Sequence, residues 1–227
     1  LRESELIIHG DIKARLMFVL LCAELFMAGG CQQVGYLLYL TAPAGGGQTI
    51  EPEFTELDGA HVAVAVYADQ RVQYEYPFAR LTLSSAVSAE LEKQLKYIKI
   101  MDLRRTISFQ DENLYWETLD KTEVAKSLGA DYLLQITLLE YSTRDPGSLN
   151  LYRGRISAQV SIYDAAKGEQ QAGVWHGTIN IAHPASSPAG VPAENDIAIC
   201  EQTEKIFAQT LVRKFYKHKA VDQEVGQ

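Results

Sequence analysis

Apolar and polar positions recur along this chain in an order that spells strands and helices in alternation. Residues 61–68, HVAVAVYA, set Val62, Val64 and Val66 between alanines. Both faces of such a segment are nearly apolar, which predicts an inner strand covered on both sides. After a polar, aromatic loop over residues 69–80, Leu83, Val87, Leu91 and Leu95 recur every four residues and predict a helix, with Thr82 or Ser84 as its cap. Residues 97–101, YIKIM, read as a short second strand. Asp120 and Glu123 open a further helix with a D-x-x-E start, Val124 and Leu128 supply its apolar face, and Gly129 is placed to end it in the left-handed region. Residues 132–141, YLLQITLLEY, follow as a long apolar strand.

The second half changes character. Arg144, Asp145, Pro146 and Gly147 mark a turn. Then Ile156, Ala158, Val160 and Ile162 alternate with Arg155, Ser157, Gln159 and Ser161, a strand with one wet face. In residues 173–181, Trp175, Ile179 and Ile181 oppose His176, Thr178 and Asn180 in the same way. A loop rich in Pro, Ser and Ala leads to a closing helix over residues 194–216, capped near Asn195 or Asp196. Its apolar stripe is Ile197, Cys200, Phe207, Leu211 and Phe215. The predicted fold is α/β (α+β): β-α-β-α-β, then an antiparallel meander and a C-terminal helix, making one mixed sheet with helices packed on it.

The front of the chain follows a different logic. Residues 16–26 are apolar except for Glu24, with Lys13 and Arg15 before them and Ala28, Gly29, Gly30 and Cys31 after them. A basic flank, a short apolar run and small residues make the secretory pattern, and the run is short for a bilayer span, which needs ~20 apolar residues. The end of the run resembles the lipobox of bacterial lipoproteins, with Ala28 where leucine is usual. That resemblance implies cleavage before Cys31 and lipid attachment at its sulfur. Other readings of the same region are an uncleaved anchor over residues 16–40 and a buried apolar helix. The implied organisation is a signal peptide over 1–30, a lipidated N-terminus and flexible tether over 31–56, a single domain over 57–220 and a disordered tail over 221–227.

Charge and cysteine content narrow the partners. The formal net charge is −8; loss of residues 1–30 leaves about −7. A nucleic-acid binder wants a basic field, so no nucleic-acid partner is expected. The same charge opposes electrostatic attachment to anionic lipid, and membrane association falls to the anchor. With Cys22 removed and Cys31 alkylated, Cys200 is left alone and reads as a small buried hydrophobe.

Candidate chemistry is sparse. His9, His61, His176, His183 and His218 form no H-E-x-x-H set, Ser186 and Ser187 lie in no G-x-S-x-G, and Gly45, Gly46 and Gly47 follow no strand and precede no Lys-Ser/Thr. Asp111, Glu112, Glu117 and Asp120 make a local acidic cluster that reads as a solvated loop and helix cap. No catalytic constellation, metal site or cofactor is expected. Tyr74, Tyr76 and Phe78, with Tyr115 and Trp116, form the candidate contact surface, because aromatics beside charges suit protein recognition. The alternative is that these rings cover the sheet ends as core.

The stretches YEYPFARL, FQDENLYW, LGADYLL, LYRGRISAQVSIYD and LVRKFYKHK resemble a group of uncharacterised bacterial envelope lipoproteins. HVAVAVY, SSAVSAELEKQL and the GADY strand start resemble the periplasmic domain of the curli-secretion lipoprotein CsgG and the amino-terminal domain of TolB. The resemblance implies a non-enzymatic assembly, secretion or transport accessory, facing the periplasm and working through envelope protein partners or as a homo-oligomer. Gln32 after the cysteine points to outer-membrane rather than inner-membrane sorting by analogy. The alternative function is a lipid-tethered binding module for a small ligand or cell-wall polymer.

Overall fold

A computed structural model describes residues 49–144, 150–168, 173–187, 189–192 and 196–220. The expected signal peptide, Cys31, most of the expected tether and residues 221–227 lie outside the described residues. Thr49–Ala220 forms one compact unit. No helix of the described residues is long and apolar enough to cross a membrane.

The sheet has five strands in the order β3-β2-β4-β5-β6. They are β2 (His61–Tyr67), β3 (Lys99–Ile100), β4 (Tyr132–Arg144), β5 (Tyr152–Asp164) and β6 (Gly173–His183). β2 runs parallel to β3 and β4, and β4, β5 and β6 pair antiparallel. The fold is α+β with a mixed sheet, as the hydrophobic pattern predicts. A second, two-stranded sheet joins β1 (Thr49–Ile50) to β7 (His218–Lys219). Glu53 follows β1 and fixes this entry of the chain. Its amide donates to the Lys214 carbonyl at 2.7 Å, and its carboxylate takes Lys214 Nζ at 2.9 Å and Trp175 Nε1 at 3.0 Å.

Two helices cover one sheet face: α2 (Ala79–Gln94) and α5 (Asp196–Val212). Leu83, Val87 and Leu91 of α2 meet Val62, Val64 and Val66 of β2, while Phe207 and Leu211 of α5 lie in the same cluster with Ile156, Val160 and Ile162. Each is essentially fully buried, and each contributes ~1.5–3 kcal/mol of apolar burial. The opposite face is covered over β2 and β4 by α3 (Leu103–Glu112) and α4 (Lys121–Leu128). Ala63 and Ala65 pack there with Val124, Ala125, Leu128, Leu133 and Trp116. Alanines on this side of β2 leave room for α3, which packs on β2, while α4 packs on β4 and β5. Over β5 and β6 the same face carries Ser157, Gln159, Ser161, His176, Thr178 and Asn180, which are partly or wholly exposed. That is the wet face the alternation predicts.

Several local expectations change. Thr82 and Ser84 do not cap α2, because the helix starts earlier, at Ala79, with Phe78 at its N-cap. Ser84 Oγ instead bonds back to the Arg80 carbonyl at 2.7 Å. The strand expected over 97–101 shrinks to Lys99–Ile100. The loop after β2 contains α1 (Gln70–Glu75), capped by Asp69 Oδ1, which accepts from the Val72 amide at 2.8 Å. Asp120 caps α4 through the Thr122 amide at 2.8 Å, and Gly129 ends that helix at φ +74°. Glu123 pairs with Lys126 at 2.9 Å rather than completing the box. Asp111 pairs with Arg80 at 2.8 Å, joining α3 to α2.

Candidate functional site

The site is built by an irregularity in β4. Leu134, Ile136 and Leu138 face the α2/α5 layer. Between Leu138 and Glu140 the pairing with β5 slips: Leu138 opposes Ala158, and Glu140 opposes Ser157. Leu139 is the extra residue of a bulge and is 55% exposed. The slip switches the parity of the strand. Tyr141 therefore lies in the same core cluster as Leu138, three residues away, where a regular strand would turn it to the opposite face.

Three elements converge there. The α1–α2 corner brings Glu75, Tyr76, Pro77, Phe78 and Thr82. The far end of β4 brings Tyr141 and Thr143, and the first turns of α5 bring Asp196, Ile197, Cys200, Glu201 and Glu204. Together they enclose a pocket of about 320 Å³. Positions 197, 200, 201 and 204 share one face of α5 by the spacing of the helix.

Glu204 is the central polar group, 4% exposed. Its Oε1 accepts from Thr82 Oγ at 2.6 Å and from the Tyr141 hydroxyl at 2.7 Å. Burial raises its pKa above the ordinary carboxylate value against the opposing effect of these two hydrogen bonds. Tyr141 Oη also lies 2.8 Å from Cys200 Sγ. Burial pushes the Cys200 thiol up to about 11, so at neutral pH it is a protonated thiol and a poor nucleophile. Burial likewise raises Tyr141. The Tyr76 ring packs edge-on against Tyr141 with centroids 5.0 Å apart, and its hydroxyl accepts from the Thr143 amide at 3.1 Å.

The five rings of the expected contact surface fall in two places. Tyr74, Tyr76 and Phe78 gather at the α1–α2 corner, with Tyr74 89% and Phe78 70% exposed and Tyr76 lining the pocket. Tyr115 is exposed in the loop after α3, but Trp116 is 3% exposed and packs edge-on to Tyr67 in the α3/α4 core. Trp116 is therefore core, as the alternative reading of these rings has it. Ile197, read as part of the buried stripe of the closing helix, is corrected: it is 63% exposed, because it sits on the first turn of α5 at the pocket. Glu204 joins the site without a motif to mark it, and Thr82 and Tyr141, expected as a helix cap and a strand residue, join it as its hydrogen-bond donors. The signal for Glu204 is a gap in the α5 stripe: 197, 200, 207 and 211 are apolar or sulfur-bearing, and the missing member of that spacing is an acid.

A second, more open cleft of about 450 Å³ lies at the other end of β4, lined by Glu56, Asp58, Asp131 and Asp164. Each of these carboxylates serves local structure. Asp131 accepts from the His61 amide at 2.8 Å, Asp58 from the Tyr97 amide at 2.8 Å, Asp164 from the Ala166 amide at 2.8 Å, and Glu56 from the Tyr132 hydroxyl at 2.9 Å.

No protein-family model matches this chain, and no curated protein matches it in sequence. Among solved structures it is similar to the PelC dodecamer from Paraburkholderia phytofirmans, at 15% identity over 76% of this chain and 99% of that one, with a TM-score of 0.46. It is also similar to lipoprotein GNA1162 from Neisseria meningitidis, at 14% identity over 67% and 98%, with a TM-score of 0.42. A minor lipoprotein from Acinetobacter baumannii is similar at 12% identity over 72% and 99%, with a TM-score of 0.35.

Proposed function

We propose that this chain is a bacterial envelope lipoprotein, anchored through Cys31, that acts without catalysis as an assembly, secretion or transport accessory. Its protein contacts are made at the α1–α2/α5 corner, with envelope partners or further copies of itself. The observation that carries the contact surface is that exposed Phe78 and Ile197 line a pocket with a buried polar floor, with exposed Tyr74 on the adjoining end of α1. Exposed aromatic and aliphatic anchors beside a desolvated pocket are what interface hot spots are made of. The anchor rests on the basic flank, the apolar run and the small residues before Cys31. Two or three acyl chains, at ~0.8 kcal/mol per buried methylene, hold a protein on a membrane where a single chain binds only reversibly. The domain then faces the periplasm, with Gln32 favouring the outer membrane.

The test is metabolic labelling with a clickable palmitate analogue, with and without Cys31→Ala, followed by membrane fractionation. Label lost in the variant together with a larger precursor supports the anchor; an unlabelled wild-type protein removes it. A second reading, a tethered module for a small ligand or cell-wall polymer, is favoured by the cavity itself, whose 320 Å³ falls within the range of ligand pockets.

A further inference from the structure

The lining of the α1–α2/α5 pocket carries one sign of charge. Glu75, Asp196, Glu201 and Glu204 contribute carboxylates, and among the described residues no Lys, Arg or His lines it. Three aromatic rings, Tyr76, Phe78 and Tyr141, form much of the remaining wall. Ring faces attract cations and repel anions, so walls and floor favour the same ligand charge.

Glu204 adds an independent observation. Both hydrogen bonds it accepts from protein fall on Oε1, and Oε2 makes none within the described residues. Oε2 is not sealed off from solvent, so the pocket opens onto it, and a donor that enters the pocket would take the place of solvent there. The pocket it lines is the direction from which a donor can come. A charged donor offsets the desolvation of the carboxylate far better than a neutral one.

We propose that this pocket receives a basic side chain, lysine or arginine, presented by a protein partner, with its ammonium or guanidinium meeting Glu204 and its aliphatic stem lying against Tyr76 and Phe78. This rests on the reading of the corner as a protein contact surface. The size fits: about 320 Å³ lies at the small end of ligand sites, the scale of one side chain rather than a large cofactor. Tyr74, Phe78 and Ile197 are 89%, 70% and 63% exposed. A partner's backbone and flanking apolar residues would cover them, whereas a free small amine would leave them bare.

The test uses the full chain in detergent micelles and calorimetric titration with acetyl-Leu-Lys-Leu-amide, its Arg, Gln and Glu counterparts, and butylamine. The Lys and Arg peptides should bind at least about tenfold more tightly than the Gln and Glu peptides, the fold-change of one charge-assisted hydrogen bond. Glu204→Gln keeps the Oε1 acceptor for Thr82 and Tyr141 and should abolish that preference; Phe78→Ala, at an exposed position, should weaken both basic peptides. Equal binding of Lys and Gln peptides, no binding of any peptide, or a preference that survives Glu204→Gln overturns the proposal. Butylamine binding as tightly as the Lys peptide overturns the assignment to a partner's side chain in favour of a free amine. A photo-crosslinking residue at position 78 in cells separates the two levels. Adducts that form equally with Glu204 and with Glu204→Gln sink the basic-side-chain slot alone. No adducts in either sinks the contact-surface reading on which it rests.

Discussion

Thr203 on α5 occupies the space above Gly154 on β5. A Cβ added at Gly154 would overlap Thr203 Oγ1 and lie 2.8 Å from its Cβ. Thr203 cannot swing aside freely, because its hydroxyl donates to the Ile199 carbonyl at 2.6 Å and the residue is 1% exposed. This contact lets α5 lie close on the sheet, at the residue next to Glu204. Gly154→Ala should therefore destabilise the protein by about 1–3 kcal/mol, the cost of overpacking a filled core. Gly168→Ala is the control, since nothing among the described residues lies within 4 Å of a Cβ there; it should change stability by less than ~0.5 kcal/mol. Urea denaturation of the two variants checks the contrast.

Tyr115 and Trp116 are neighbours in sequence with opposite roles. Tyr115 is 75% exposed, while Trp116 is 3% exposed among Ala63, Ala65, Val124 and Leu128. Trp116→Ala should lower stability by about 3–5 kcal/mol through the cavity it leaves. Tyr115→Ala should leave the melting temperature near that of wild type. Circular-dichroism melts of the pair decide the matter, and equal melting temperatures would remove Trp116 from the core.

The strands were legible because alternation is a local signal. Val62, Val64 and Val66 and then Ile156, Ala158, Val160 and Ile162 announce which face is buried without knowledge of the partner strand, and the structure buries all of them. α3 was not legible. Its most buried residues are Thr106 and Gln110, and the Gln110 amide donates to the Val66 carbonyl at 3.0 Å. Its apolar residues Leu103 and Phe109 pack only partly buried against different core clusters, so no single fully buried apolar stripe marks the helix. The contact corner was half legible: Tyr74, Tyr76 and Phe78 stand together in sequence, whereas Tyr141 and Glu204 reach it only through the bulge at Leu139 and a separation of 63 residues. A bulge leaves an apolar strand apolar, so its change of parity has no sequence signature in LLQITLLEY.

Asp131, just before β4, accepts from the His61 amide at 2.8 Å and lies 3.0 Å from His61 Nδ1. The amide hydrogen bond, then the ring contact, hold its pKa below the ordinary 3.8. A lowered carboxylate pKa contributes stability that is present above the unfolded value and lost as pH falls through the folded one. The side chain is 60% exposed, so solvent screening keeps the contribution to ~0.2–1 kcal/mol. Asp131→Asn should lose about that much at neutral pH, and the gap from wild type should close below pH 3.8. Denaturation midpoints measured from pH 2 to pH 7 (roughly the range over which a carboxylate titrates) test this; a gap constant with pH would remove the ionised Asp131 from the account.

Glu204 should give the opposite slope. Burial raises its folded pKa above the unfolded 4.5. Between those values the folded state holds a proton that the unfolded chain has lost. Stability therefore falls as pH rises through the window, and the full penalty stands above the folded pKa. The titratable groups that face Glu204 are Tyr141, Cys200 and Glu201, with Glu75 and Asp196 in the same lining. Cys200 and Tyr141 stay protonated throughout, since burial raises both. Glu201 adds repulsion to any ionised Glu204. Glu204→Gln keeps the hydrogen bonds from Thr82 and Tyr141 to Oε1 but removes the ionisable group. Near pH 4.5 the variant and wild type should differ little, and the variant should become progressively the more stable as pH rises. Urea titrations at a series of pH values measure the divergence. Parallel curves would mean that Glu204 ionises as readily in the folded protein as in the unfolded chain, and the pocket would then have to be wetter than its geometry indicates.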